Sequence, residues 1–393
     1  MTNSKADSEV TLSPSPPDNI DVWILAGQSN MEGVGELTDT LAPDPRVWSF
    51  TPAGEWEVAA EPLHRHWESF TTVHQELNRP GLPDDRRDLS NAELARLASR
   101  ERLYGCGLGL AFGIDRATAT GKPVGLLPCA HGGTTLEQWS FRHKGRGGAS
   151  LYGAMLERVR RAGGNLCGML WYQGESEGWS QESCVAYGER FAEWVGELRK
   201  DFGRPEFPVL TVQIGRTMLD TIDPLSWTKI RHVQAAFPNS VPFTAATSAV
   251  DLPLIDAIHI NASGLRRLGR RLARIAGNME KGFVAGPKLI DVCSGSEPPD
   301  RGLIRLQFSG VTGGWLPVDN IAGFDILTPE HVPHPVNHVI NAFRDKSDPA
   351  NILVRTNLPV EPGDILAYGN GLRPYCNAID EADMPLSAFE VTL

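Results

Sequence analysis

From residue 21 onward the chain alternates short, unbroken apolar runs with longer stretches in which apolar residues recur every three or four positions. The runs at 22–26, 123–129, 168–172, 207–214 and 241–248 have strand length. Several are apolar on both faces, as strands of a parallel sheet covered on both sides must be. Between them, residues 107–120, 150–162, 182–202 and 227–237 carry helical periodicity. The resulting β, α, β, α order predicts a doubly wound α/β sheet whose ligands sit at the carboxyl ends of the strands. A last helix is marked by Leu265, Leu268, Leu272 and Ile275, interleaved with Arg266, Arg267, Arg270, Arg271 and Arg274. Ser263 suits its N-cap, and the arginine stripe reads as a solvated face.

Past residue 280 the pattern changes to short alternating segments, LIRLQF, GFDIL, NILVRT, DILAYG and AFEVTL, separated by Gly, Pro, Asn and Asp. The expected organisation is a disordered tail at 1–20, an α/β domain at 21–280 and a smaller all-β domain at 281–393. Residues 54–104 are mixed in charge, with one helical piece near 92–102, and read as a long insertion above the sheet.

Composition narrows the function without naming it. No apolar run approaches the length of a bilayer span, and a formal net charge of −11 repels phosphate backbones, so neither membrane nor nucleic acid is an expected partner. The six cysteines stand singly, without the close pairs of a zinc site or a redox motif, and read as free, mostly buried thiols. The first 20 residues lack the apolar stretch of a secretory signal, which fits a cytoplasmic protein or a signal-stripped secreted form equally well. Oligomeric state is not legible.

The chemistry-bearing residues fall at the ends of predicted strands. DVWILA runs directly into Gly27, Gln28 and Ser29, placing a serine at the functional edge of the sheet, without the second glycine of a G-x-S-x-G elbow. Near residue 260, DAIH sets Asp256 three residues before His259. A serine nucleophile needs an imidazole to take its proton and a carboxylate to hold the imidazole's tautomer, and one short Asp-x-x-His loop offers both. Asp251 is the competing carboxylate. CAHGGTTLEQW follows another strand with Gly132 and Gly133, whose N–H groups can approach an oxyanion unhindered. WYQGESE ends a further strand with Gln173, whose amide is a second candidate donor. Taken singly, each reads more readily as a turn former, a surface pair or a structural amide.

Together and in order, GQSNM (27–31), HGGTTLEQW (131–139), WYQGESE (171–177) and DAIH (256–259) resemble the sequence blocks of SGNH-type carbohydrate esterases, specifically the sialate O-acetylesterase and acetylxylan esterase group. EWEVAAEPLH (55–64), GCGLGLAFG (105–113) and the terminal stretch from DILAYG onward resemble the same group more weakly. The resemblance implies a flavodoxin-like SGNH fold. It also implies Ser29 as nucleophile, His259 as base, Asp256 as its orienting partner, and an oxyanion hole of Ser29 N–H, Gly133 N–H and the Gln173 side chain, with Gly132 as fallback. Gln28 and Glu175 are implied as residues that hold the serine loop. Neither metal nor organic cofactor is expected, and the expected substrate is an acetylated carbohydrate, deacetylated through an acetyl-enzyme. His131 departs from the group, where bulky aromatics are frequent. A general small-ester or lipid esterase, or a non-catalytic binder of acetylated glycans, remains an alternative, although a binder has no need of an intact Ser, His and Asp.

Other residues invite attention. Trp139 and Trp179 flank the blocks and are candidates for stacking on a sugar ring, while Trp171 suits core packing equally well. His331, His334 and His338 have spacings a metal site can use, but the prolines among them and the absence of nearby Cys or acidic ligands argue against one.

Overall fold

A computed structural model describes residues 15–37, 40–101, 104–282, 286–295 and 302–393. Most of the expected tail, residues 1–14, therefore lies outside the described residues. The elements run β1 (Asp21–Gly27), α1 (Ser29–Glu32), β2 (Val47–Phe50), β3 (Trp56–Val58), α2 (Thr72–Asn78), α3 (Asn91–Glu101), α4 (Gly109–Thr120), β4 (Val124–Pro128), α5 (Leu151–Ala162), β5 (Asn165–Tyr172), α6 (Gln181–Phe202), β6 (Val209–Gln213), α7 (Pro224–Ser240), β7 (Thr244–Ser248) and α8 (Ala262–Glu280).

Seven strands form one sheet in the order β3-β2-β4-β1-β5-β6-β7. All neighbours pair in parallel except β3, which runs antiparallel to β2 at the edge. The five long strands are those the apolar runs mark out. β2 and β3 are not legible that way, because VWSF and WEV are too short to stand out as runs. β3 also puts the start of the 54–104 segment inside the sheet rather than above it, before the chain turns into α2 and α3. β1 is buried from Val22 onward, and β4 along its whole length. α4 and α8 pack together over one face, where Trp23 meets Phe112 edge-on at 5.0 Å. α5, α6 and α7 cover the other, with Trp171, Phe191, Trp194 and Phe237 interlocked beneath them.

α8 begins at Ala262 with Asn261, not Ser263, as its N-cap, since the Asn261 side chain accepts from Gly264 N–H. Nor is the arginine stripe wholly solvated. Arg266 and Arg271 are buried, and Arg271 donates to both oxygens of Asp251 at 2.8 and 2.7 Å and to Asp383. This ion pair fixes Asp251 away from His259 and leaves Asp256 as the carboxylate of the histidine loop.

Beyond α8 the strands are β8 (Lys288–Ser294), β9 (Leu303–Ser309), β10 (Trp315–Leu316), β11 (Phe324–Leu327), β12 (Val339–Arg344), β13 (Ile352–Thr356), β14 (Ile365–Tyr368), β15 (Ile379–Asp380) and β16 (Phe389–Thr392). They form small sheets ordered β12-β13-β9-β8, β11-β14-β16 and β10-β15, all antiparallel. Their apolar faces share a core that also takes in Val250 from the loop after β7. All six cysteines are free, with Cys293 the exposed one. No helix among the described residues is long and apolar enough to cross a membrane.

Candidate active site

Discounting the added edge strands, the order β4-β1-β5-β6-β7 reverses direction at β1, the topological switch point where open α/β sheets bind ligands. β1 ends on Gly27 at φ +135°, where a Cβ would lie 2.0 Å from the carbonyl oxygen of Tyr172. Only glycine lets the end of β1 run this close to β5. Gln28 N–H then donates to Tyr172 O, and His131 N–H to Gly27 O, so the chain leaving β1 is tied to both neighbouring strands. Ser29 follows at once as the first residue of α1, half-buried at the sheet edge.

His259 comes to it from 230 residues away, its Nε2 at 3.0 Å from Ser29 Oγ. Asp256 Oδ2 lies 2.7 Å from His259 Nδ1, and Asp256 Oδ1 accepts the backbone N–H groups of Ile258 and His259, each at 2.8 Å. This carboxylate thus shapes the loop as well as orienting the ring. With Nδ1 protonated toward Asp256, the lone pair of Nε2 faces the serine hydroxyl. Burial works against ionisation of Asp256, but the bond to His259 and the two backbone donors outweigh it and hold the carboxyl below its usual range.

Asn30, beside the serine, is a connector that sequence reasoning passed over. Its Nδ2 donates to Glu175 Oε1 at 2.8 Å and its Oδ1 accepts from Ile260 N–H at 3.0 Å, joining the serine turn to the loop after β5 and to the histidine loop. Glu175 is buried with Oε2 unpartnered among the described residues, and burial raises its carboxyl to about 7 despite the Asn30 bond. Gln28, also buried, accepts from Gly174 and Ser176 N–H at 3.5 and 3.4 Å. Both residues hold the serine turn against the β5 loop.

The candidate oxyanion donors separate. Ser29 N–H and Gly133 N–H have no acceptor among the described residues, and Gly133, at φ +67°, turns in a conformation that favours glycine. Gly132 N–H is engaged by Glu32 Oε2 at 2.6 Å, which removes it as a fallback. Gln173 must also be corrected. It is wholly buried, its Nε2 donates to Thr134 O at 3.2 Å and to Glu177 Oε2, and the Tyr187 hydroxyl lies 2.9 Å from its Oε1. Both amide protons are spent on the scaffold, where Glu177 Oε1 also accepts Leu136 N–H at 2.6 Å. The residues that capture the amide, Glu177 and Tyr187, lie four and fourteen positions on, and their pairing is invisible without the fold.

The tryptophans divide too. Trp139 is fully buried, with Nε1 donating to Thr134 Oγ1 at 3.1 Å and its ring edge-on to Trp171 at 5.5 Å, so it has no face for a sugar. Trp179 is 51% exposed and keeps one. In the β region, His331 Nδ1 sits 2.9 Å from Glu390 Oε2, an acidic neighbour 59 residues away, while His334 Nδ1 accepts Asn337 N–H at 2.8 Å. Neither bond gathers the three histidines. The histidine donors that do converge among the described residues are those of His66, His74 and His131, which the sequence reading did not connect. They lie behind Glu32, whose carboxyl is pulled down to about 2, against burial, chiefly by His66. Burial keeps neighbouring His64 and His131 neutral by lowering each to about 3.

A doubly wound sheet with serine, histidine and carboxylate gathered at its carboxyl edge is an arrangement of hydrolytic α/β enzymes. A family model described as carbohydrate esterase, sialic acid-specific acetylesterase, matches residues 19–278, and the chain belongs to that family of carboxylic ester hydrolases. A protein of Arabidopsis thaliana named as a probable carbohydrate esterase is 28% identical over 292 residues, 68% of this chain and 94% of the relative. Its crystal structure matches with a TM-score of 0.51 at 25% identity, covering 67% of this chain and 99% of that one. A carbohydrate acetylesterase of Xanthomonas citri has a similar fold, with a TM-score of 0.64 at 23% identity over 94% of this chain and 80% of the other.

Proposed function

We propose that the chain removes O-acetyl groups from carbohydrates by a serine mechanism, with Ser29 as nucleophile, His259 as general base and Asp256 as the carboxylate that orients it. The observation carrying this reading is the continuous relay Ser29 Oγ, His259 Nε2, His259 Nδ1, Asp256 Oδ2, with steps of 3.0 and 2.7 Å. Ser29 Oγ attacks the acetyl carbonyl while His259 takes its proton, and the imidazolium returns that proton to the departing sugar hydroxyl. Water, deprotonated by His259, then cleaves the acetyl-enzyme to acetate and free Ser29. Developing negative charge is met by the N–H groups of Ser29 and Gly133, which have no acceptor among the described residues and so are free to donate to it. Trp179, at the end of the loop between β5 and α6, offers an apolar face for the sugar. The organisation into an α/β unit at 21–280 and a β unit at 281–393 belongs to the same reading, with the chemistry housed in the first. Acetate release measured across acetylated xylo-oligosaccharides, sialic acids and p-nitrophenyl acetate tests it. Turnover of the sugars that disappears in Ser29→Ala is expected, whereas undiminished turnover in that variant overturns the nucleophile assignment.

A further inference from the structure

The turn that carries Ser29 has a second polar neighbourhood on the side away from His259. Glu32, three residues after the serine, holds Gly132 with one carboxylate oxygen and turns the other, Oε1, toward His66 Nε2 at 3.2 Å. Beyond that contact, His66 Nε2 is buried with no hydrogen-bond partner among the described residues. Beside it, His74 Nδ1 and His131 Nδ1 lie 3.1 Å apart, and the three imidazoles each offer a nitrogen within 4.8 Å of the others.

We propose that Glu32, His66, His74 and His131 form a site for one divalent transition-metal ion of the zinc type, set directly behind the oxyanion loop. Imidazole nitrogens with one carboxylate suit zinc, cobalt or nickel, and three nitrogens argue against calcium or magnesium, which take oxygen. Zinc to nitrogen distances of about 2.0–2.1 Å place two ligands of a tetrahedral ion about 3.3 Å apart. The His74–His131 pair, at 3.1 Å, and the His66–Glu32 pair, at 3.2 Å, both have that spacing. The three histidine nitrogens lie within 4.8 Å of one another, so the two pairs must draw together for all four groups to reach one tetrahedral ion. The His66 and His74 rings are stacked in parallel with centroids 4.7 Å apart, so one of them must rotate about its side chain for both lone pairs to meet the ion. His64, edge-on to His66 and accepting Ala130 N–H at 3.3 Å, is a neighbour rather than a ligand. Because Glu32 Oε2 still accepts Gly132 N–H, an ion on Oε1 would brace the peptide that leads into Gly133.

The test is made on the full chain without substrate, so its outcome is separate from the esterase reading. Chelator-stripped, dialysed protein is titrated with zinc against a chromophoric competitor, and bound metal is counted after gel filtration. The expected result is one zinc per chain, with binding weakened roughly tenfold or more in His74→Ala and in His131→Phe. His331→Ala, distant from the cluster, serves as a control expected to leave binding unchanged. Since the ligand variants can perturb folding, wild-type protein is also loaded with cobalt, whose intense visible bands report four-coordination. Absence of bound zinc, binding indifferent to both ligand variants, or a weak six-coordinate cobalt spectrum overturns the site. A simple His74–His131 hydrogen bond, with no ion, predicts the first of these results.

Discussion

At the scale of single residues, the proposed chemistry rests on groups that act as one unit. Ser29→Ala and His259→Ala should each lower kcat by about 10⁴-fold or more, and the double variant should lose little beyond either. Acetate release under single-turnover and steady-state conditions reads this directly, and two independent, multiplicative losses would break the unit. Glu175 gives a second prediction, in the pH dependence of stability. Burial raises its carboxyl from 4.5 to about 7, so the folded state favours the neutral form. The contribution of that form is complete below pH 4.5 and is lost as pH rises through about 7. Glu175→Gln is neutral at every pH, so relative to wild type it should gain unfolding free energy across that interval, as measured by urea titration in steps of pH. A difference between the two proteins that stays constant with pH would place the titration elsewhere. Of this site, Ser29, Asp256 and His259 were legible because the ordered blocks frame them and because strand ends are where chemistry sits. Asn30 stood inside a recognised block, yet its role needs the histidine loop 230 residues away to become visible. The availability of an N–H group was not legible at all. What sets Gly132 and Gln173 apart from Gly133 as donors is what has already captured their protons.

At the scale of elements, apolar runs and helical periodicity were enough for the five long strands and their helices, because burial on both faces leaves a continuous signal. β2 and β3 escaped because short edge strands carry too few buried positions to make one. Arg271 was misread for a related reason: a charge on a helix face counts as solvated until its partners, Asp251 and Asp383, are brought in by distant segments. The loops after β4 and β5 are joined by a clamp of the same hidden kind. Gln173 Nε2 bridges Thr134 O and the buried Glu177, whose other oxygen holds Leu136 N–H. Gln173→Ala therefore acts first on stability, since it removes one of the donors from a buried carboxylate and leaves Thr134 O unpaired. The expected loss is about 1–3 kcal/mol, seen in thermal or denaturant unfolding. Below the melting range, the surviving kcat should fall less than about 10²-fold, the loss typical of removing an oxyanion donor. An unchanged melting temperature with a 10²-fold or larger fall in kcat would restore Gln173 to the oxyanion hole.

At the scale of the whole molecule, the C-terminal strands are not a passive appendage to the sheet that carries the chemistry. Gln213, at the end of β6, donates to Ala388 O and accepts Ala388 N–H, at 3.0 and 2.8 Å, so the sheet grips the chain just before β16. Arg231 of α7 is wholly buried and has no carboxylate partner among the described residues. Its guanidinium donates instead to Ile214 O and Gly215 O on one side and to Gly369 O and Gly371 O on the other, at 2.6–3.3 Å. From there the connection continues toward the site. Thr217 N–H donates to Leu372 O, Thr217 Oγ1 donates to Ala257 O at 3.1 Å, and Met218 N–H donates to the same carbonyl. Ala257 lies between Asp256 and His259, so the turn at 369–372 braces the loop that presents the histidine. Arg231→Leu keeps the volume apolar but strips the donors from carbonyls on both sides of this junction. Each buried carbonyl left unpaired costs about 1–3 kcal/mol, which makes a loss of several kcal/mol the expectation in denaturant unfolding. Well below its melting temperature the variant should also lose kcat more than it raises KM, because a loosened Ala257 misaligns His259 rather than the sugar-binding surface. Arg231→Lys, which retains a charge but reaches fewer carbonyls, should fall between wild type and Arg231→Leu in both measurements. A leucine variant with wild-type stability and kcat would mean that the C-terminal turn merely touches the catalytic loop without supporting it.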